Sequence, residues 1–523
     1  MKNKSWVTGI CLLLFLTGCS GNAISEQETT ETSVSVNSLL EITVSEDVIS
    51  DNSVAESNVS ENVVSENAVS ENDADSQTSV AVAPEVVFIP WEEAGLEDHV
   101  MEWGDAKLQT HMEGITGIED REIMLSDVWE YTELDLQFYG EFGIQTRADG
   151  TTMMIDYIGN IDALGELKNL QVLNLNGQKC LSDISALSGL TNLRELYLGC
   201  LGFYCASFEL DALSGLTNLE ILGLGGINGI NDLSPLSGLT NLRELSLFEI
   251  ENITDISALS SLTNLEILNL TWYPIDDNGI SDLSALSDLT NLRELYLKNN
   301  RISDLSALRG MKNLEVLDLS DNEVGDISVL ENMKNMQMLD LSWNNISDIS
   351  VLENMVDLRI LDLEGNNISD LSVLSGLTNL RELYLIVNSN NTDIGVLSNL
   401  TNLEKLKLCW NPQCDNRLSD LSPLRGLINL QVLYLFGNQI SDISALENMN
   451  NLQILNLSRN NISDISVLEN MENLQRLNLS ENNISDLSVL TGLTNLTFLL
   501  ASDNPLQDDS ASWYRSWRTE HGY

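Results

Sequence analysis

The sequence predicts an α/β solenoid: an open arc with a parallel β-sheet on its concave face and short 3-10 turns on its convex face. Three observations lead there. A Leu-x-x-Leu-x-Leu frame recurs fifteen times in phase, starting at Leu170, Leu193, Leu219, Leu242, Leu265, Leu292, Leu314, Met336, Leu358, Leu380, Leu403, Leu430, Leu452, Leu474 and Leu496. The copies are mostly 22 or 23 residues apart, a period that belongs to stacked units rather than to one closed core. Within each copy, apolar and polar residues alternate over one short stretch, the mark of a strand with one buried face.

One copy shows the parts. In Leu292-Arg293-Glu294-Leu295-Tyr296-Leu297 the leucines at 295 and 297 face inward. Asn300 turns the chain, and its amide can satisfy backbone groups that the turn leaves open. Ile302 returns to the core. Asp304 is placed to cap a short 3-10 turn that carries Leu305 and Leu308 inward. No single unit can close its own core, whereas stacked units bury one continuous apolar column.

The first residues have a different character. Lys2 and Lys4 precede an apolar run from about Trp6 to Thr17, the layout of an export signal. The run is well short of the roughly 20 residues that span a bilayer. Leu16-Thr17-Gly18-Cys19 resembles the lipobox of bacterial lipoproteins, which implies acylation of Cys19 and removal of residues 1–18. Residues 19–85 contain no Lys or Arg and include the tandem repeat "NVSENVVSENAVSEN". Low hydrophobicity with unopposed negative charge cannot repay the entropy of folding. This segment reads as a disordered acidic tether, spanning on the order of 45 Å as a coil and up to roughly 220 Å when stretched. A five-residue β-solenoid is the rival reading, with only three copies to support it.

The consensus "LTNLxxLxLxxNxIxDIxxL" resembles the 22-residue leucine-rich repeats of internalin-like bacterial surface proteins, and "LTNLRELYLKNNRISDLSAL" (289–308) follows it almost throughout. The resemblance covers roughly residues 125 to 505. It implies a leucine-rich repeat array that holds a partner in its concave face, at the cell surface. A wall-sorting motif and an immunoglobulin-like domain are not recognisable after the repeats, so the expected anchor is the lipid at the other end.

A helical N-terminal cap is expected over 86–130, the repeats over 131–504 and a C-terminal cap over 505–523. Leu96, Val100 and Trp103 stand at helical spacing. "DREIMLSDVWEYTELDL" reads as a helix leading into a first strand at Leu134 and Leu136. Alternation around Asp149-Gly150 predicts a hairpin. Trp513, Tyr514 and Trp517 can lay an aromatic lid on the last repeat.

The formal net charge is −54, which argues against nucleic acid as a partner, since phosphate would be repelled. It also argues against an electrostatic grip on anionic lipid. The three histidines, His99, His111 and His521, all lie in the predicted caps. No phosphate-binding glycine loop, His-Glu-x-x-His segment or nucleophile elbow is present. No catalytic residues, metal site or cofactor are expected. Asp318, Asp340 and Asp362 occupy one strand position in three consecutive repeats. Such a ladder could share protons, bind a cation or face a basic partner; equally, "LDLS" is the commonest wording of the repeat. Cys200 with Cys205, and Cys409 with Cys414, fall in over-length repeats and form local disulfides or stay free. Their nine-repeat separation, about 45 Å, excludes a shared zinc site. Cys180 reads as a core substitute for the repeat's isoleucine.

These features predict a lipid-anchored, monomeric, non-enzymatic binding protein on the outer face of a bacterial membrane. Its partner is expected to be an extracellular protein or glycan. An envelope spacer, or a capture component serving a separate enzyme or transporter, is the alternative. Candidate concave-face contacts are Tyr197, Phe248, Trp272, Tyr296, Trp343, Tyr384, Trp410, Tyr434 and Phe436, read as large rings projecting into water, with the three aspartates among them. Aromatic residues supply much contact area at low entropic cost.

Overall fold

The computed structural model describes residues 88–138, 157–200, 207–227, 229–250, 253–272, 279–387, 393–410 and 417–521, with two short strands at 145–146 and 152–153. Sixteen strands form one open parallel sheet in strict chain order. The frame sets the register: Leu295, Leu317, Leu339, Leu361 and Leu383 lie side by side on successive strands, each fully buried.

Three local devices recur along the array. The carboxylates of Asp304, Asp326, Asp348 and Asp370 accept the N–H two residues on, at 2.8–2.9 Å. They thereby start the 3-10 turns Ser306–Gly310, Ser328–Asn332, Ser350–Asn354 and Ser372–Gly376. The turn asparagine is the second device. Asn344 donates its amide to the carbonyls of Leu319, Leu341 and Ser342, and its oxygen accepts Val324 N–H at 2.9 Å. Asn300, Asn322 and Asn366 repeat this bridge, so backbone groups inside the arc are satisfied. The third is the asparagine that precedes most strands, such as Asn379, which donates to the preceding repeat's carbonyl at 2.9 Å. Leu339→Ala removes one plug from this continuous column. It should cost about 2–5 kcal/mol, read as a lower urea midpoint; a shift near zero would contradict the strand phase.

At the N-terminal end the helix α1 (Trp91–Ala94) is followed by α2 (Ala106–Thr116) and α3 (Leu125–Val128). Asp105 caps α2 by accepting the N–H groups of Lys107 and Leu108. The expected helix through Leu96, Val100 and Trp103 does not form. Gly95 and Gly104 bracket it with φ of +63° and +68°, and Val100 instead bridges to Met124. Trp103 is buried while Leu96 is exposed. The first strand, Glu133–Asp135, follows α3, with Leu134 and Leu136 buried. The strands Gln145–Thr146 and Thr152–Met153 pair antiparallel around the expected hairpin, whose tip lies outside the described residues. Cys180 is exposed; the neighbouring Leu181 fills the core slot assigned to it.

At the other end α4 (Asp508–Glu520) lies across the last repeat. Tyr514 and Trp517 are buried, Trp513 partly so. The Tyr514 hydroxyl accepts Ala501 N–H at 2.9 Å, a donor that a further strand would have taken, and the Ser510 hydroxyl accepts Leu487 N–H at 3.0 Å. Among the described residues no helix is long and apolar enough to cross a membrane. The segment holding Cys19 and the tether lies outside the described residues.

Candidate functional site

Because side chains alternate along a strand, the residues flanking each central leucine face the concave side. One such column, read across seven neighbouring strands, runs Tyr296, Asp318, Asp340, Asp362, Tyr384, Lys407, Tyr434. The three aspartates are in direct register.

Their local job is clear. Each Oδ1 accepts the N–H two residues on: Ser320 at 2.9 Å, Ser342 at 2.8 Å and Glu364 at 2.9 Å. This is an Asx turn that ends the strand. Asn269, Asn456 and Asn478 make the same bond at the same position in other repeats. An amide is therefore sufficient for the fold, and a carboxylate brings a cost. Asp318 and Asp340 are only 5% and 6% exposed. Burial, and then the neighbouring Asp318, push the Asp340 carboxyl up to about 8. Asp362 is raised by burial, then by Asp340 and Glu364; Asp318 is raised by burial. Two cations bracket the ladder. Lys298 draws Asp318 and Asp340 down in part, and Lys407 does so for Asp362 while pairing with the buried Glu364 at 2.8 Å.

The flanking tyrosines are tied down on the same face. Tyr296 and Tyr384 donate their hydroxyls to Glu294 and Glu382 at 2.9 and 2.7 Å. Tyr197 does likewise to Glu195 at 3.0 Å. Burial is the first cause holding the phenols of Tyr197 and Tyr384 well above their ordinary range.

Of the candidate aromatics, Trp343 projects into solvent, at 50% exposure. Its backbone is left-handed, with φ of 55°, and its ring lies over Gly365, where a Cβ would come within 2.7 Å of it. The expectation of large rings projecting into water fails at Phe248, Trp272 and Tyr296, which are buried. Phe248 lies against Gly225, as Tyr197 lies against Gly223, each 3.3 Å from where a Cβ would stand; a neighbour without a side chain lets the ring lie flat. Tyr296 is held down by its bond to Glu294. Tyr197, Tyr384, Tyr434 and Phe436 are half-buried. The side chains of Trp410 and Cys409, and all of Cys205 and Cys414, lie outside the described residues. Cys200 is disulfide-bonded. Among the described residues no three His, Cys, Asp or Glu side chains converge to hold a metal ion.

Lys298 and Lys407, the cations that act on the ladder, were not singled out by the repeat frame. Their signal lay in the columns: each is the sole lysine in its column of the stacked frame.

Residues 275–310, 312–354, 428–470 and 472–512 match a family model of leucine-rich repeats in two copies, and 356–375 match a single-repeat model. The chain is a leucine-rich repeat protein. It is similar to an internalin (InlF) of Listeria monocytogenes at 30% identity, covering 78% of this chain and 91% of that one, with a TM-score of 0.43. A leucine-rich repeat protein of Leptospira interrogans is 22% identical, covering 76% and 96%, with a TM-score of 0.50. The functional domain of InlJ of Listeria monocytogenes, which includes a cysteine ladder, is 22% identical over 63% and 73%, with a TM-score of 0.48. The chain belongs to the internalin-like leucine-rich repeat proteins. No curated protein matches it. The fold is one suited to binding, since curved solenoids present extended concave surfaces.

Proposed function

We propose that the chain is a non-enzymatic surface protein, held at the outer face of the membrane by a lipid on Cys19, whose concave sheet grips a basic segment of an extracellular protein. The observation that carries this reading is the ladder: aspartate stands three times where asparagine serves the fold elsewhere. A cationic side chain laid along the column would relieve the repulsion that the fold alone leaves in place. Trp343 beside it offers an exposed ring for apolar or cation–π contact.

The experiment is a pull-down from host and bacterial extracts with the full-length protein, repeated with Asp318, Asp340 and Asp362 all changed to Asn. The variant should fold and lose the protein partner. Retention of the same partner by the variant would refute the concave reading, and capture of glycan alone would replace a protein partner by a carbohydrate one. Cys19→Ala should leave the precursor unlipidated or shed into the medium. An unchanged mature mass in the membrane fraction would contradict the anchor.

A further inference from the structure

On the flank of the arc, where the chain climbs from each 3-10 turn into the next strand, lies a groove of about 560 Å³. Three departures from the repeat coincide there. The first concerns charge. In the residue column that precedes the strands, Arg194, Arg243, Arg293 and Arg381 each pair with the glutamate of the following repeat, at 2.6–2.7 Å. Arg359 is the exception: the next residue in the column is Arg381. Among the described residues Arg359 has no ion pair, and a like charge on the neighbouring strand is unfavourable.

The second departure is Asp357, which replaces the asparagine that elsewhere ties adjacent repeats. Asn379, Asn402, Asn429 and Asn451 make that tie with their amide N–H groups at 2.9–3.1 Å. Their amide oxygens accept no hydrogen bond among the described residues, and all four residues line the groove. The third is apolar. Val356 and Ile428 are 53% and 50% exposed at a position where Thr217, Thr240, Thr263, Thr290, Thr378 and Thr401 stand in other repeats. Val356 and Ile428 directly precede the lining residues Asp357 and Asn429, and their carbonyls hold the lining residues Asn379 and Asn451, so the two positions border the groove. Three repeats separate them, about 15 Å at strand spacing.

We infer that this flank groove is a second binding site, for an extended peptide segment that sets a carboxylate on Arg359 and an apolar side chain at each of Val356 and Ile428. An extended chain rises about 3.3 Å per residue, so the two apolar side chains would lie four or five residues apart. Backbone N–H groups between them meet the row of amide oxygens, and a further amide or amino group meets Asp357. Aliphatic rims favour a peptide over a sugar, whose ring faces stack on aromatic side chains. The site does not depend on the concave column.

The test is fluorescence anisotropy of the full-length protein with labelled decapeptides. These carry valine at two positions four residues apart and either glutamate or lysine between them. The glutamate peptide should bind saturably and about tenfold more tightly than the lysine peptide, as a charge-assisted contact requires. Arg359→Glu should invert that preference, with Arg359→Gln abolishing it if the reversal disturbs folding in circular dichroism. Changing Val356 and Ile428 together to Thr should weaken both peptides. The Asp318/Asp340/Asp362→Asn variant should bind as the parent does. Absence of saturable peptide binding, or binding indifferent to Arg359, overturns the proposal. So does polygalacturonate binding through Arg359 while the peptides do not.

Discussion

Asn344→Asp, a change of one atom, is expected to destabilise the middle of the array more than loss of a whole core leucine side chain. The amide of Asn344 donates to three carbonyls, on two repeats, at 2.8–3.1 Å. A carboxylate donates nothing and would face those three oxygens with its own charge. Each carbonyl keeps a second donor, from Asn322, Asn366 and the Asp321 N–H respectively, so the cost is chiefly that of a desolvated carboxylate set against three carbonyl oxygens, several kcal/mol for one buried ion. The expected loss is on the order of 5 kcal/mol. Repeats are coupled to their neighbours alone, so the unfolding should begin near residues 319–346 and be visible there first by hydrogen exchange. Asn345→Asp is the control, since residue 345 is exposed and adds the same charge. Equal melting temperatures for the two variants would mean that the asparagine bridge contributes little.

The Asp318/Asp340/Asp362→Asn variant should be more stable than the parent at pH 8 while binding less. The folded state holds these carboxyls above their unfolded range. Below about pH 4 both states are protonated and the ladder has no effect. As pH rises, the unfolded chain loses protons that the folded ladder keeps, so stability falls. For Asp340 the fall is complete above about 8. The convex aspartates behave oppositely. Asp326, Asp348 and Asp370 are lowered by the N–H bonds they accept, so their contribution is present above their unfolded values and lost in acid. Asp321, Glu249 and Glu294 are also raised by burial, so the ladder is read from the difference between parent and variant melting temperatures between pH 5 and 8. The parent should lose more stability across that window than the variant. Parallel curves for the two proteins would show that Lys298 and Lys407 already neutralise the column.

What the sequence disclosed depended on whether a property repeats. Strand phase, inward leucines, the turn asparagine and the capping aspartate recur in copy after copy, so fifteen weak signals add to a strong one. Orientation and exposure do not recur in this way. Phe248 is covered because the preceding strand has Gly225, and that neighbour lies a full repeat away along the chain. Leu96, Val100 and Trp103 have helical spacing, yet glycines at 95 and 104 end any helix between them. The ladder was visible as wording; that it is a charge placed where an amide would do emerged only when Asn456 and Asn478 made the same bond.

The turns Ser328–Asn332, Ser350–Asn354 and Ser466–Asn470 have one sequence, Ser-Val-Leu-Glu-Asn. Near-identical segments spaced by whole repeats are substrates for recombination, and an exchange in frame adds or deletes one unit with both junctions intact. Each unit in the middle of the array contributes one aspartate to the column. A lineage can thus lengthen or shorten the charged stripe in steps of one carboxylate, tuning its charge by dosage without any point mutation in the fold.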